Sequence, residues 1–299
     1  MKFSTRDLCF CAIGAALIAV CAWISIPADV PFTLQTFAIF TVCGLLGRNG
    51  VGKSTMLYLM AGLLRPTAGF VTCNGYKPFE RKVDFLNDIF IVPEEFQLPA
   101  IRLEEYIRLN SPFYPKFDSE TMNRLLSMFE MAPDVNLGAL SMGQKKKVFL
   151  SFAMACNTGI LLLDEPTNGL DISAKRAFRM AVSSVMDENK TIVISTHQVY
   201  DVEQILDHII IADNNRILLN RSTMDITSRL RFNFTNDPQR AAAAAFSLPV
   251  PGGFNIVELV NNPDDETDVN LESLFELTQK RPDLMSQIFN IPPVPFNNQ

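Results

Sequence analysis

The residues best equipped for chemistry lie at 47–55, GRNGVGKST, where Gly47 through Ser54 fit the pattern G-x-x-x-x-G-K-[ST]. Glycines at Gly47, Gly50 and Gly52 let the backbone curl, so that N–H groups of the loop, that of Asn49 among them, and of the following helix N-terminus point at phosphate oxygens. Lys53 is then placed to neutralise β- and γ-phosphates and Ser54 to hold Mg²⁺ through its hydroxyl, with Thr55 closing the motif. A second site of chemistry is ILLLDE at 160–165, a buried-strand run ending in two acids. Asp164 can hold the water shell of a magnesium ion, and Glu165 can face a γ-phosphate and polarise an attacking water. Two adjacent acids alone would read as a solvated loop. Behind a phosphate loop and ahead of PTNGLD at 166–171, they read as part of a nucleotide-hydrolysing centre.

Such a centre needs strands that deliver loops to one edge of a sheet. Short β-branched and apolar runs supply candidates at 70–75 (FVTCNG), 89–92 (IFIV), 160–163 (ILLL), 191–195 (TIVIS) and 208–213 (HIIIAD), alternating with longer amphipathic segments. Continuous apolar strands imply an α/β fold with a sheet covered on both faces. Residues 41–46 (TVCGLL) must form the buried strand that enters the phosphate loop. From about 98 to 157 the spacing is helical, as in LEEYIRL at 103–109 and ETMNRLLSMFEM at 120–131, which predicts a helical insertion. Residues 231–299 read as a small C-terminal appendage, with five alanines at 241–245, a turn at Gly252 and Gly253 and a Pro-rich, fraying end at 292–295.

Three further motifs follow GRNGVGKST in order: LSMGQ at 140–144, DEPTNGLD at 164–171 and STHQ at 195–198. Together they resemble the ATP-binding subunit of an ATP-binding-cassette (ABC) transporter over residues 44–230. The resemblance implies an α/β P-loop NTPase of the cassette type, with ATP and Mg²⁺ bound and ATP hydrolysed. It implies a homodimer or a paired ABC ATPase subunit, in which the signature of one subunit completes the site of the other. Ser141 and Gly143 would then meet the γ-phosphate in trans, with Gln144 also counted among the nucleotide-binding residues; Met142 replaces one of the signature's glycines. Glu165 and His197 would be catalytic, His197 as the switch residue at the γ-phosphate, and Asp171 would couple the two sites. Where the family often has a glutamine that senses the γ-phosphate and contacts the membrane partner, this chain reads IVPEEF, so Glu94 joins Ser54 and Asp164 as a candidate metal residue; Gln97 lies three residues later. Lys145, Lys146 and Lys147 read as a solvated helix face, and His208, outside any motif, as structural. A transmembrane permease partner and a place on the cytoplasmic face of the cell membrane follow from the same resemblance.

The first 46 residues are a different material. They contain four charged residues, Lys2, Arg6, Asp7 and Asp29, and residues 8–27 contain none, long enough at ~1.5 Å per residue for a membrane helix. A secretory signal peptide is the rival for that run, although export would separate the phosphate loop from ATP. A second apolar run, 32–46, is interrupted by Gln35 and abuts the chemistry. About thirty residues of antiparallel strand, with an aromatic that stacks on adenine, normally open a cassette, and nothing here resembles them. Instead AWISIPADVPFTLQTFAIF at 22–40, followed by GLLG at 44–47, resembles the N-terminus of the biotin-transporter substrate-binding component of the energy-coupling-factor class. Residues 1–43 therefore read as a hydrophobic, membrane-type fragment foreign to the cassette, joined at GLLG.

With 26 Lys and Arg against 32 Asp and Glu, net charge −6, the chain carries no broad electrostatic footprint for nucleic acid. Its six cysteines form no CxxC pair and read as small buried hydrophobes. Three functions remain: an ATPase subunit energising a permease, with Glu94 and VNLESLFEL at 269–277 leaning toward the exporter type; a cassette that regulates without a permease, although such relatives generally carry two cassettes; and a defective hybrid of a vitamin-transporter fragment and an ATPase.

Overall fold

The computed structural model describes residues 25–26, 32–33, 42–47, 52–213, 216–260 and 267–289. Its centre is a six-stranded sheet in the order β4-β5-β6-β3-β7-β8, built from β3 (Val42–Leu46), β4 (Ile89–Val92), β5 (Ile160–Asp164), β6 (Thr191–Thr196), β7 (His208–Asp213) and β8 (Arg216–Ser222). All neighbours are parallel except β8, which closes the edge antiparallel to β7. β3 lies between β6 and β7, so the strand that enters the phosphate loop is central. Every residue of β5 is buried, and each of its leucines contributes about 1.5–3 kcal/mol of hydrophobic stabilisation. The two short strands β1 (Ser25–Ile26) and β2 (Phe32–Thr33) pair antiparallel in a separate ladder.

Helices α1 (Lys53–Met60) and α2 (Val83–Asn87) lie between β3 and β4. Between β4 and β5 the chain runs through α3 (Leu103–Asn110), α4 (Ser119–Met128) and α5 (Met142–Ala155), and α6 (Ile172–Val185) joins β5 to β6. Side-chain oxygens cap several of these helices: Asp118 accepts from two amides at the start of α4, and Asp171 does the same job for Ala174 at the start of α6. After β8 come α7 (Thr223–Thr227), β9 (Leu230–Thr235), α8 (Pro238–Ala243), β10 (Phe246–Val250), β11 (Gly253–Leu259), α9 (Leu271–Lys280) and α10 (Pro282–Phe289). Strands β10, β11 and β9 form a three-stranded antiparallel sheet. Leu230, Val257, Leu274 and Leu277 join the same hydrophobic cluster as Leu163, Phe152 and Ile194 of the central sheet and α5, so this last segment is packed onto the α/β body.

Several expectations are corrected here. Residues 70–75 form no strand: Cys73 and Tyr76 exchange both backbone hydrogen bonds across Asn74 and Gly75, whose φ values of 48° and 78° are those of a tight two-residue turn. The Asn-Gly pair, not the flanking apolar residues, decides the local backbone. At the edge of the 8–27 apolar run, Ser25 and Ile26 are extended rather than helical, as suits Ile26, the residue before Pro27. The two-residue pairing of β1 with β2 lies ahead of the phosphate loop. The rest of the 8–27 run lies outside the described residues, and among those described no helix is long and apolar enough to cross a membrane.

Candidate nucleotide-binding site

Parallel strands present their C-terminal ends on one edge, and there the sheet brings together Gly47 after β3, Asp164 at the end of β5 and Thr196 at the end of β6. The start of α1 faces the same edge. Gly52, the N-cap of α1, has φ 89°, a left-handed conformation that a side chain would strain, and the helix begins at Lys53 with its first amides unpaired by any side-chain cap. Ser54 and Thr55 sit in that first turn, half-buried. Asn49 and Gly50 lie outside the described residues.

Lys53 is 8% exposed, and its Nζ donates to the Gly47 carbonyl at 2.8 Å and lies 3.5 Å from Glu165 Oε1. Burial holds its pKa below the usual lysine value, against the opposing pull of Glu165, Asp164 and Glu94. An arriving polyanion therefore finds a cation that gains from being charged.

Asp164, 1% exposed, has no hydrogen-bond partner among the described residues on either carboxylate oxygen. Burial raises its pKa; the hydroxyls of Ser54 and Ser195 stand close enough to lower it in part without closing a hydrogen bond, and the charges of Glu165 and Glu94 raise it further. A buried, unpaired carboxylate beside two hydroxyls is an uncompensated charge in the protein alone. It fits a hard divalent cation with oxygen ligands, which Ser54 and Asp164 would hold.

Glu165 has φ 45°, uncommon for a residue with a side chain and costing about 1–3 kcal/mol. Its peptide is held on both sides, with N–H donating to Ser195 O at 2.8 Å and C=O accepting from Lys146 Nζ at 3.0 Å. Its carboxylate accepts from Thr196 Oγ1 at 3.0 Å and from the His197 backbone amide at 3.1 Å, and lies 2.8 Å from His197 Nδ1. Glu165 and His197 are thereby brought into direct contact. Ion pairs and hydrogen bonds from Lys175 to Asp201 at 2.7 Å and to Gln198 at 2.9 Å pin the turn after His197. A cavity of about 450 Å³ opens beside it, lined by Gly47, Thr196, His197, Tyr200 and Glu272 among others.

Glu94 is exposed and accepts from Asn168 Nδ2 at 2.9 Å, close enough for its charge to act on Asp164 and Lys53. The remaining candidates stand elsewhere. Ser141 caps α5 in a reciprocal box with Gln144, its Oγ accepting from the Gln144 amide and its own amide donating to Gln144 Oε1. Gly143 stands against the Gly169 carbonyl, which a Cβ would meet at 3.2 Å. Asp171 accepts from Ser173, from the Ala174 amide and from Lys147, bonds that hold its pKa down to about 2. His208 pairs with Asn220 across β7 and β8, in keeping with a structural role.

Sequence alone missed Ser195, Thr196, Asn168 and Lys146. The first three lie inside quoted motifs, one to three positions from the residues assigned. Lys146 corrects a reading outright: it is no solvated lysine but 6% exposed, with Nζ bonded to the carbonyls of Glu165 and Asn168, both at 3.0 Å.

Residues 30–168 match the ABC transporter family model, a match that begins just ahead of the apolar run at 32–46. The chain is 28% identical over 190 residues to the ABC transporter ATP-binding protein YtrB of Bacillus subtilis, covering 63% of this chain and 64% of that protein. It is 30% identical over 181 residues to the bacitracin transport ATP-binding protein BcrA of Bacillus licheniformis, covering 59% of each. The chain thus spans about six-tenths of the length of these curated relatives. Among solved structures it resembles a dimeric ATP-binding cassette in a post-hydrolysis state with ADP and Pi, at TM-score 0.53 and 25% identity over 61% of this chain and 85% of that one. The sheet, the loop entering α1, the acids ending β5 and these matches together make the α/β body of this chain similar to an ABC transporter ATP-binding cassette domain.

Proposed function

We propose that the chain binds ATP with Mg²⁺ and hydrolyses it as half of a cassette pair, energising a membrane permease from the cytoplasmic face. One observation carries this reading: Asp164 and Glu165, adjacent at the end of β5, face Lys53 and Ser54 at the start of α1, with Asp164 unpaired and Glu165 at 3.5 Å from Lys53. Ser54 and Asp164 would hold the divalent ion, which when bound would supply charge neutralisation at the phosphates. Lys53 exchanges its bond with Gly47 for β- and γ-phosphate oxygens. Glu165 orients a water and accepts its proton as the water oxygen bonds to the γ-phosphorus and the bond to the β–γ bridging oxygen breaks, leaving ADP and phosphate. His197, in contact with Glu165, holds the carboxylate in place and meets the γ-phosphate.

Pairing is supported by the position of the signature. Ser141 and Gln144 hydrogen-bond to each other at the exposed N-terminus of α5, which leaves that end able to serve a second copy's nucleotide. The similar solved cassette is dimeric. Names such as YtrB and the bacitracin transport protein support a transport role, and Glu94 with the α9 segment supports the exporter type. A second reading, a vitamin-transporter fragment fused to the cassette, is favoured by the near-absence of charge over residues 1–46, whereas the family match from residue 30 weighs against a boundary at 43.

Sedimentation of the full chain carrying Glu165→Gln, with and without MgATP, tests the pairing. A shift to dimer with ATP, lost in the double variant with Ser141→Arg, is expected. A chain that stays monomeric at high concentration with saturating ATP contradicts it.

A further inference from the structure

Lys146 is a buried lysine outside the residues that meet nucleotide. It sits five residues into the chain from Ser141, on the same helix, with its amine spent on two backbone carbonyls of the loop that follows β5, those of Glu165 and Asn168. Burial lowers its pKa, and the nearby charges of Glu94, Glu165 and Asp164 favour its ammonium form. Charge-assisted bonds to carbonyls are stronger than neutral ones, and here one of the two falls on a residue with a left-handed backbone, Glu165 at φ 45°. A second contact backs the first: Gly143 lies against the Gly169 carbonyl, so the first turn of α5 and the loop 165–169 touch at two points. A third joins the loop to Glu94 through Asn168.

We infer that Lys146 is a positioning residue that ties the signature helix to the backbone of Glu165 in the same chain, so that engagement of the α5 N-terminus by a partner's nucleotide is transmitted to this chain's own catalytic carboxylate. The inference rests on the reading of Glu165 and of the paired site given above. α5 is a continuous helix of fourteen residues with a boxed N-terminus, so a displacement at Ser141 is carried along the same helix to Lys146. Its amine grips the Glu165 carbonyl, so displacement rotates the peptide that sets the direction of the Glu165 side chain. Ser141 thus serves the partner's site while Lys146 carries the message to this one.

The test measures ATP hydrolysis against ATP concentration for the full chain, together with nucleotide binding and thermal unfolding, in four proteins: wild type, Lys146→Met, Lys146→Arg and Glu165→Gln. Methionine keeps the length of the stem and removes the amine; arginine keeps the charge and donors. Lys146→Met should bind ATP within about twofold of wild type, turn over at least tenfold more slowly, and lose the cooperative dependence of rate on ATP that the paired site predicts for wild type. Lys146→Arg should recover most of the turnover and the cooperativity. Wild-type turnover and cooperativity in a folded Lys146→Met overturn the proposal, as does a folded Lys146→Arg no better than Lys146→Met. Should Lys146→Met fail to fold, the arginine variant decides alone: recovery supports the strut, and a folded protein with slow, non-cooperative turnover overturns it. A wild type that releases no phosphate, or a Glu165→Gln that equals it, overturns the ATPase reading instead, so the two failures are distinguishable.

Discussion

Asp164 is a residue that the free protein accommodates poorly, buried with both carboxylate oxygens unpaired among the described residues. Its raised pKa means that the folded chain holds the proton more tightly than the unfolded chain does. That contribution to stability is fully present below the ordinary carboxylate value and is lost as pH rises through the raised one. At neutral pH the ionised group therefore works against folding, and Asp164→Asn should stabilise the metal-free protein by about 1–3 kcal/mol. Denaturant unfolding should show this gain at neutral pH and its disappearance in acid, where Asp164 is itself neutral, while Mg²⁺-dependent hydrolysis collapses. A variant that is less stable at neutral pH would argue that the carboxylate is compensated after all. Lys53→Ala should instead lose nucleotide binding, read by titration with a fluorescent ATP analogue. The acids and Lys53 were legible because their types and spacing admit little else. Ser195 and Lys146 were not: what makes them matter is the register that sets Ser195 opposite Asp164 and the packing that turns one of three lysines inward.

At the scale of elements, α5 owes its start to the Ser141 and Gln144 box, and Ser141→Ala should lower stability by about 0.5–2 kcal/mol, measured by thermal unfolding. The larger effect of Ser141→Arg on pairing would then stand clear of the loss of a cap. The apolar runs at 89–92, 160–163, 191–195 and 208–213 all became strands, since an uninterrupted apolar run of that length bounded by polar residues fits a sheet buried on both faces. FVTCNG at 70–75 failed because Asn74 and Gly75 impose a turn that two flanking apolar residues cannot override. The amphipathic spacing of 120–131 gave a helix, but it ends at Met128, two residues before Glu130 takes φ 57°. A left-handed terminus on a glutamate has no sequence signature.

Across the whole molecule, the order of the strands, the dimeric assembly and the origin of the first residues are different kinds of question. Strand order could not be read from local pattern, because β3 is inserted between β6 and β7 by pairings distant in sequence. If residues 1–43 are foreign to the cassette, a chimera carrying a generic cassette N-terminus with a Tyr at the adenine-stacking position should bind ATP about one to two orders of magnitude more tightly, since stacking is worth roughly 1–3 kcal/mol. Calorimetry with ATP and GTP should show the gain for ATP; equal affinities and equal preference in the two proteins would mean that the present N-terminus already completes the site. The central claim, that Glu165 activates water for attack on ATP, is tested most directly by Mg²⁺-dependent phosphate release from the full chain and from Glu165→Gln, with ATP binding measured on the same samples. Binding should be unchanged while release falls about 10²–10⁴-fold; equal release from the two proteins would contradict the account.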